Sequence, residues 1–211
     1  MRRLPVYFLL DTSGSMFGEP IQALNNALSG MINTLRTDAQ ALDSLWISMI
    51  TFNRDVTELM PLTELVNFQL PEITCPQSGP THTGSALELL YEKVQADVRK
   101  GSATQKGDWR PLLFLFTDGK PSDLVLYRSM IPKIQSLNFG AIVACAAGLK
   151  SNDAQLKELT DTVVHLDTAD SNTLKQFFKW VSDTIEQGNK SMGTVESISL
   201  PPPPQDIHLV I

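Results

Sequence analysis

The chain has 211 residues, a formal net charge of −6 and 42% apolar residues. This composition supplies the core of one α/β domain and excludes a disordered or coiled-coil protein, while the acidic balance argues against nucleic acid as a general partner. No stretch approaches the about 20 consecutive apolar residues of a membrane span, and Cys75 and Cys145, far apart, suggest neither a CxxC site nor a disulfide framework.

Two arginines precede an apolar run of only a strand's length, so the start does not read as a signal peptide and the expected compartment is cytoplasmic. Residues 5–10 predict a buried strand that stops at Asp11-Thr12-Ser13-Gly14-Ser15. Alternate residues of an extended chain point the same way, so Asp11, Ser13 and Ser15 can aim oxygens at one point. Oxygen donors of this kind suit a hard divalent cation. A helix then opens at Gly18-Glu19-Pro20, with Ile21, Leu24, Leu28, Met31 and Leu35 on one face. Trp46 to Phe52 reads as a second strand, Asn53-Arg54-Asp55 as a turn, and Val56 to Leu62 as an antiparallel return strand at a sheet edge.

Residues 63–80 read as irregular. Thr81-His82-Thr83-Gly84-Ser85 leads into a helix that Thr83 or Ser85 is expected to cap, with Leu87, Leu90, Val94 and Val98 inward. After a polar loop at 101–110, Leu112 to Phe116 forms a strand ending in Thr117-Asp118-Gly119-Lys120-Pro121. Ser122 or Asp123 is expected to cap the next helix, with Leu124, Tyr127, Ile131, Ile134 and Leu137 on its buried face and a kink or restart at Pro132. Gly140 to Ala147 reads as a small-residue strand containing a buried Cys145. A short helix at 152–159, a strand from Val163 to Leu166 and a helix from Ser171 to Gly188 complete the pattern. The expected fold is α/β and doubly wound. Its central sheet is mostly parallel with one antiparallel edge strand, and helices cover both faces. The domain spans residues 1–188. Residues 189–211 form a tail, with a stiff spacer at Pro201 to Pro204 and an apolar end that packs back on the domain or adds to a sheet edge.

Ligands in such sheets bind outside the carboxyl ends of the strands, which places loops 11–15 and 117–121 on one rim. Loops DTSGS, PTHTGSAL and LLFLFTDGKPSD, in that order, resemble the metal-ion-dependent adhesion site of von Willebrand factor A domains over about residues 4–187. The resemblance implies a Rossmann-like fold and a metal site of Asp11, Ser13, Ser15, Thr81 and Asp118. It implies Mg²⁺, with Mn²⁺ and Ca²⁺ as alternatives, held through hydroxyls and partly through water. An acidic residue of a protein partner would then complete the coordination. Within the family, the start RRLPVYFLLDTSGSM and the segment FTDGKPSD resemble the bacterial TerY-like proteins of tellurite-resistance and stress systems, which implies a protein kinase or phosphatase as partner.

The residues themselves point to a non-enzymatic binding module. The chain has only His82, His165 and His208, none in a recognisable nucleophile–base arrangement. The competing reading is a Mg²⁺-dependent phosphoryl-transfer hydrolase. It is weakened by Ser13, which stands where a DxDxT pattern needs its second aspartate, and a GxxxxGK[ST] loop is absent. A secreted adhesin is disfavoured by the missing leader. His82 is expected on the rim or surface, Lys120 exposed, and Trp109 in edge packing.

Overall fold

The computed structural model describes residues 2–148, 153–190, 201–204 and 207–210. Seven strands form one sheet: β1 (Leu4–Asp11), β2 (Leu45–Phe52), β3 (Val56–Glu64), β4 (Leu112–Thr117), β5 (Ala141–Ala147), β6 (Val163–Leu166) and β7 (His208–Val210). Their order across the sheet is β3-β2-β1-β4-β5-β6-β7. The five inner strands are parallel, β3 runs antiparallel to β2, and β7 runs antiparallel to β6. The antiparallel edge at β3 is the one its turn signal predicts. The tail supplies a second antiparallel strand, so both edges are antiparallel.

β1 lies near the middle of the sheet and all eight of its residues are buried. A strand flanked by two parallel neighbours and covered on both faces needs a continuous apolar run, and LPVYFLL is one. On one face, α1 (Glu19–Leu35) packs against α6 (Ser171–Lys190) around Phe8, Phe114, Phe116, Phe177 and Phe178; α2 (Ala39–Ser44) lies on the same side. The other face carries α3 (Thr83–Asp97), α4 (Leu124–Gln135) and α5 (Asp153–Leu159) over Tyr7, Leu9, Leu87, Tyr127 and Ile134. Phe8 and Phe114 stack across adjacent strands with centroids 5.4 Å apart, fixing the β1–β4 register at the centre of the core.

Some helix expectations change. α4 runs uninterrupted through Pro132. The proline falls in the last turns and removes one ladder bond, while Ile131 and Ile134 bury on either side of it and hold the helix down. α6 continues past Gly188 to Lys190. The short α2 was not anticipated, since six residues carry too little periodicity; the side chain of Asp38 caps it by accepting from Ala41 N–H at 2.8 Å.

The tail is bound to the domain in three places. Trp180 Nε1 donates to the Pro201 carbonyl at 2.9 Å, Ile207 is buried in the α1–α6 core, and β7 pairs with β6. At the start of β1, Arg3 pairs with Asp108 at 2.5 Å and Arg2 stacks over Trp109. These contacts tie the 101–110 loop to the start of β1, the packing role expected of Trp109.

Candidate metal centre

Side-by-side parallel strands build the site. β1 and β4 pair in register from Val6↔Leu112 to Leu10↔Phe116, so Asp11 and Thr117 end up abreast at the carboxyl rim. Thr117 Oγ1 donates to Asp11 Oδ2 at 2.5 Å and Ser13 N–H donates to Asp11 Oδ1 at 2.7 Å. Asp11 is fully buried, and both its oxygens are held in place.

Beyond Ser13 the chain leaves the extended form and makes one 3-10 turn, Gly14–Met16. Met16 N–H donates to the Ser13 carbonyl at 2.9 Å. This turn, and not strand alternation, brings Ser15 beside Ser13, with the two hydroxyl oxygens 3.2 Å apart. Ser15 Oγ then donates to Asp118 Oδ1 at 2.7 Å. Gly14 is required by close approach: a Cβ there would lie 2.5 Å from the Ser78 Cα. The 77–79 loop therefore rests directly on the serine turn.

Thr81 arrives from a third direction. Its N–H donates to Ser122 Oγ at 3.1 Å, and Ser122 N–H donates to the Thr81 carbonyl at 2.8 Å. Its hydroxyl faces Gly119 so closely that a Cβ at Gly119 would stand 3.0 Å from Thr81 Oγ1. The structure thus joins the three loops through Asp11–Thr117, Ser15–Asp118 and Thr81–Gly119 contacts.

A family profile described as the von Willebrand factor type A domain matches residues 6–184. The chain belongs to this family. Among solved structures, the domain is similar to proximal thread matrix protein 1 from the mussel byssus, at 18% identity and a TM-score of 0.64 over 86% of this chain and 48% of that one. A second structure of that protein is described as having a zinc-occupied MIDAS motif, with 16% identity and a TM-score of 0.60 over 86% of this chain and 48% of that one. BatB from Bacteroides thetaiotaomicron gives 17% identity and a TM-score of 0.55 over 89% of this chain and all of that one. The chain thus spans about half the length of the mussel protein. At these identities the likeness is one of fold. Family membership makes this VWA domain one of a group of metal-dependent interaction modules.

The donor chemistry of the VWA domain fits a hard divalent cation. Every candidate ligand offers oxygen, and two are carboxylates. Burial pushes the Asp11 carboxyl up to about 6; the hydrogen bonds from Thr117 and Ser13 pull it down, and the charge of Asp118 adds to the rise. A buried carboxylate facing a second one is a site whose ionised form a cation would restore. Among the described residues, no cluster of three or more His, Cys, Asp or Glu is placed to hold a metal. A site built on hydroxyls does not need one. Burial, and then the charges of Asp11 and Asp118, raise the half-buried Cys75 thiol, which keeps a soft thiolate away from this oxygen set.

Sequence reasoning missed Thr117 and Asp123. Thr117 could have been found by aligning the two strand ends, because parallel pairing in register puts it opposite Asp11. Asp123 has no local signature. Expected to cap its own helix, it stands at the N-cap of α4, but its side chain makes no capping bond there. Its carboxylate instead accepts from Gly84 N–H at 2.9 Å, Ser85 N–H at 2.8 Å and Ser85 Oγ at 3.1 Å, capping α3 from another loop. The cap expected from Thr83 or Ser85 is therefore replaced. Ser85 contributes its hydroxyl to that cap, and Thr83 Oγ1 is buried without a hydrogen-bond partner. His82 stays at the edge of the site, half-buried, with Nδ1 2.9 Å from the Arg54 carbonyl.

Proposed function

We propose that this VWA domain is a non-enzymatic, Mg²⁺-dependent protein-binding module. In this reading Ser13, Ser15 and Thr81 hold the ion through hydroxyls, and Asp11 and Asp118 anchor them and its waters. The ion supplies an electrophilic position for a partner's carboxylate; the chain's residues orient the hydroxyls and keep the carboxylates behind them. The observation that carries the reading is the convergence of three loops on one oxygen-lined rim, fixed by Thr117 to Asp11 at 2.5 Å and Ser15 to Asp118 at 2.7 Å. Mg²⁺ prefers near-octahedral oxygen coordination and retains waters, which suits a site with few direct charges.

The full burial of Asp11, with both oxygens accepting hydrogen bonds, speaks against its use as a phosphoryl-accepting nucleophile. The segments RRLPVYFLLDTSGSM and FTDGKPSD support a place in a bacterial tellurite-resistance or stress system of the TerY-like kind. We infer a cytoplasmic setting and a protein kinase or phosphatase of the same system as the partner. None of the described helices is long and apolar enough to cross a membrane.

Two measurements test the proposal. Calorimetric titration of the chain with MgCl₂, MnCl₂, CaCl₂ and ZnCl₂ should show one saturable site for Mg²⁺ that Asp11→Ala abolishes. A pull-down with the candidate kinase and phosphatase should lose its partner in EDTA. Equal capture with and without EDTA would overturn metal-dependent binding.

A further inference from the structure

Two of the chain's three histidines meet at the tail-bearing edge of the sheet. His165 on β6 and His208 on β7 are direct partners in the antiparallel pair. Partners of this kind carry their Cβ atoms about 4.5–5.5 Å apart on one face. Asp167 follows the end of β6, and its carboxylate faces both rings. Oδ1 lies 3.8 Å from His165 Nε2, and Oδ2 lies 3.9 Å from His208 Nε2. Asp153, at the start of α5, meets the other nitrogen of His165, with Oδ1 3.0 Å from Nδ1. The cluster shares no residue with the oxygen-lined rim: β6 is three strands over from β1, about 14 Å away at about 4.8 Å per strand.

The hydrogen-bond chemistry of these four residues favours a cation. An ionised carboxylate only accepts, so His165 Nδ1 donates to Asp153. In the neutral ring this tautomer puts the lone pair on Nε2, the nitrogen nearer Asp167. A lone pair and a carboxylate oxygen have no hydrogen to share, and a cation between them satisfies both. A carboxylate that holds the far nitrogen of an imidazole is also what orients metal-binding histidines and raises their basicity. His208 brings a second imidazole to the same carboxylate.

We propose that His165, His208 and Asp167 form a second cation site, one that takes Zn²⁺ in preference to Mg²⁺ and staples the tail to the domain. Two imidazole nitrogens and one carboxylate oxygen, with water in the fourth position, are a zinc ligand set, whereas Mg²⁺ takes oxygen alone. Ligands about 2.1 Å from a tetrahedral ion stand about 3.4 Å apart. The distances of 3.8 and 3.9 Å are wider, so the three side chains are not a ready-made cage, and the ion closes it by drawing them in. Asp167 and His208 have room to move, with side chains 70% and 62% exposed, while Asp153 steadies His165. β7 has only three residues. An ion shared between His165 and His208 adds a side-chain link to that short backbone pairing.

The test is a calorimetric titration of the tag-free full chain with ZnCl₂ in excess MgCl₂, which competes for the oxygen-lined rim. One saturable Zn²⁺ site is expected. It should weaken at least about tenfold in His208→Ala and in Asp167→Asn, and persist in Asp11→Ala. Zn²⁺ should also slow amide hydrogen exchange across residues 207–210 in the parent chain and leave it unchanged in His208→Ala. Melting temperatures in EDTA should match the parent for both edge variants. Absence of a saturable Zn²⁺ site overturns the inference, as does equal Zn²⁺ affinity in the parent and His208→Ala. Loss of the site in Asp11→Ala would put the Zn²⁺ at the rim and overturn it too. Zn²⁺ binding without slower exchange in β7 overturns the staple, and lower EDTA melting temperatures in both edge variants would make the cluster structural instead.

Discussion

Asp123→Ala probes the link between two arms of the candidate metal site without touching a candidate ligand. In the parent chain the Asp123 carboxylate holds three donors at the start of α3, at 2.9, 2.8 and 3.1 Å. Alanine leaves two first-turn N–H groups without this acceptor. A lost N-cap costs about 0.5–2 kcal/mol, and a hydrogen bond to a charged group contributes about 1.5–3 kcal/mol. These figures describe the same contacts, so they are not summed. Asp123 is half-exposed and water can replace part of what is removed, which sets the expected loss at about 2 kcal/mol. For a domain of this size that lowers Tm by about 4–8 °C. Thr81 lies just before the capped turn and is paired to Ser122, so Mg²⁺ affinity should fall about tenfold as well, a shift of about 1.4 kcal/mol. Calorimetric melting and Mg²⁺ titration of parent, Asp123→Ala and Asp123→Asn check this. Asparagine keeps one accepting oxygen and should fall between the other two. A Tm within about 1 °C of the parent, together with unchanged Mg²⁺ affinity, would refute the cross-loop cap as a coupling element.

Three further outcomes are expected. Asp11 has a native carboxyl raised from 3.8 to about 6, so in metal-free buffer the native state binds the extra proton between those values. The Asp11 contribution to stability should therefore be fully present below about pH 4, be lost as the pH rises to about 6, and level off above, by at most about 3 kcal/mol; the difference between the parent chain and Asp11→Asn in urea melts in EDTA from about pH 4 to 7 reads this, and saturating Mg²⁺ should flatten it. Gly119→Ala puts a methyl 3.0 Å from Thr81 Oγ1, so it should weaken Mg²⁺ binding at least several-fold in a calorimetric titration while lowering Tm by only a few degrees. Ile207→Ala empties a buried position in the α1–α6 core and should cost about 2–4 kcal/mol in a urea melt; a change near zero would mean that the tail docks without supporting the domain.

The sheet was legible because buried parallel strands demand uninterrupted apolar runs, and LPVYFLL and LLFLF have no other plausible use. Asp11, Ser13, Ser15 and Asp118 were nameable because each ends or follows such a run, and their shared rim follows from parallel pairing; Thr81, after the irregular residues 63–80, was named only through the family resemblance. What joins them was not legible. Asp123 acts on residues 38 and 39 positions earlier, so its partners are set by packing of α3 against α4. The sequence offered a cap for α3 and for α4 from each helix's own neighbours, and the fold instead turns Asp123, at the start of α4, onto α3. Pro132 misled in the other direction, since a local rule about proline gave way to burial of the residues around it.

β7 has a consequence for how the domain is presented. It runs from His208, opposite His165, down to Val210, opposite Val163, so the strand heads away from the metal rim. Leu4 starts β1 at that same far end. Whatever is joined before β1 or after β7 therefore leaves from the base, and the oxygen-lined rim faces outward like the head of a probe held by its handle. Fixing the chain to a sensor surface through either end should leave that rim open to the solution.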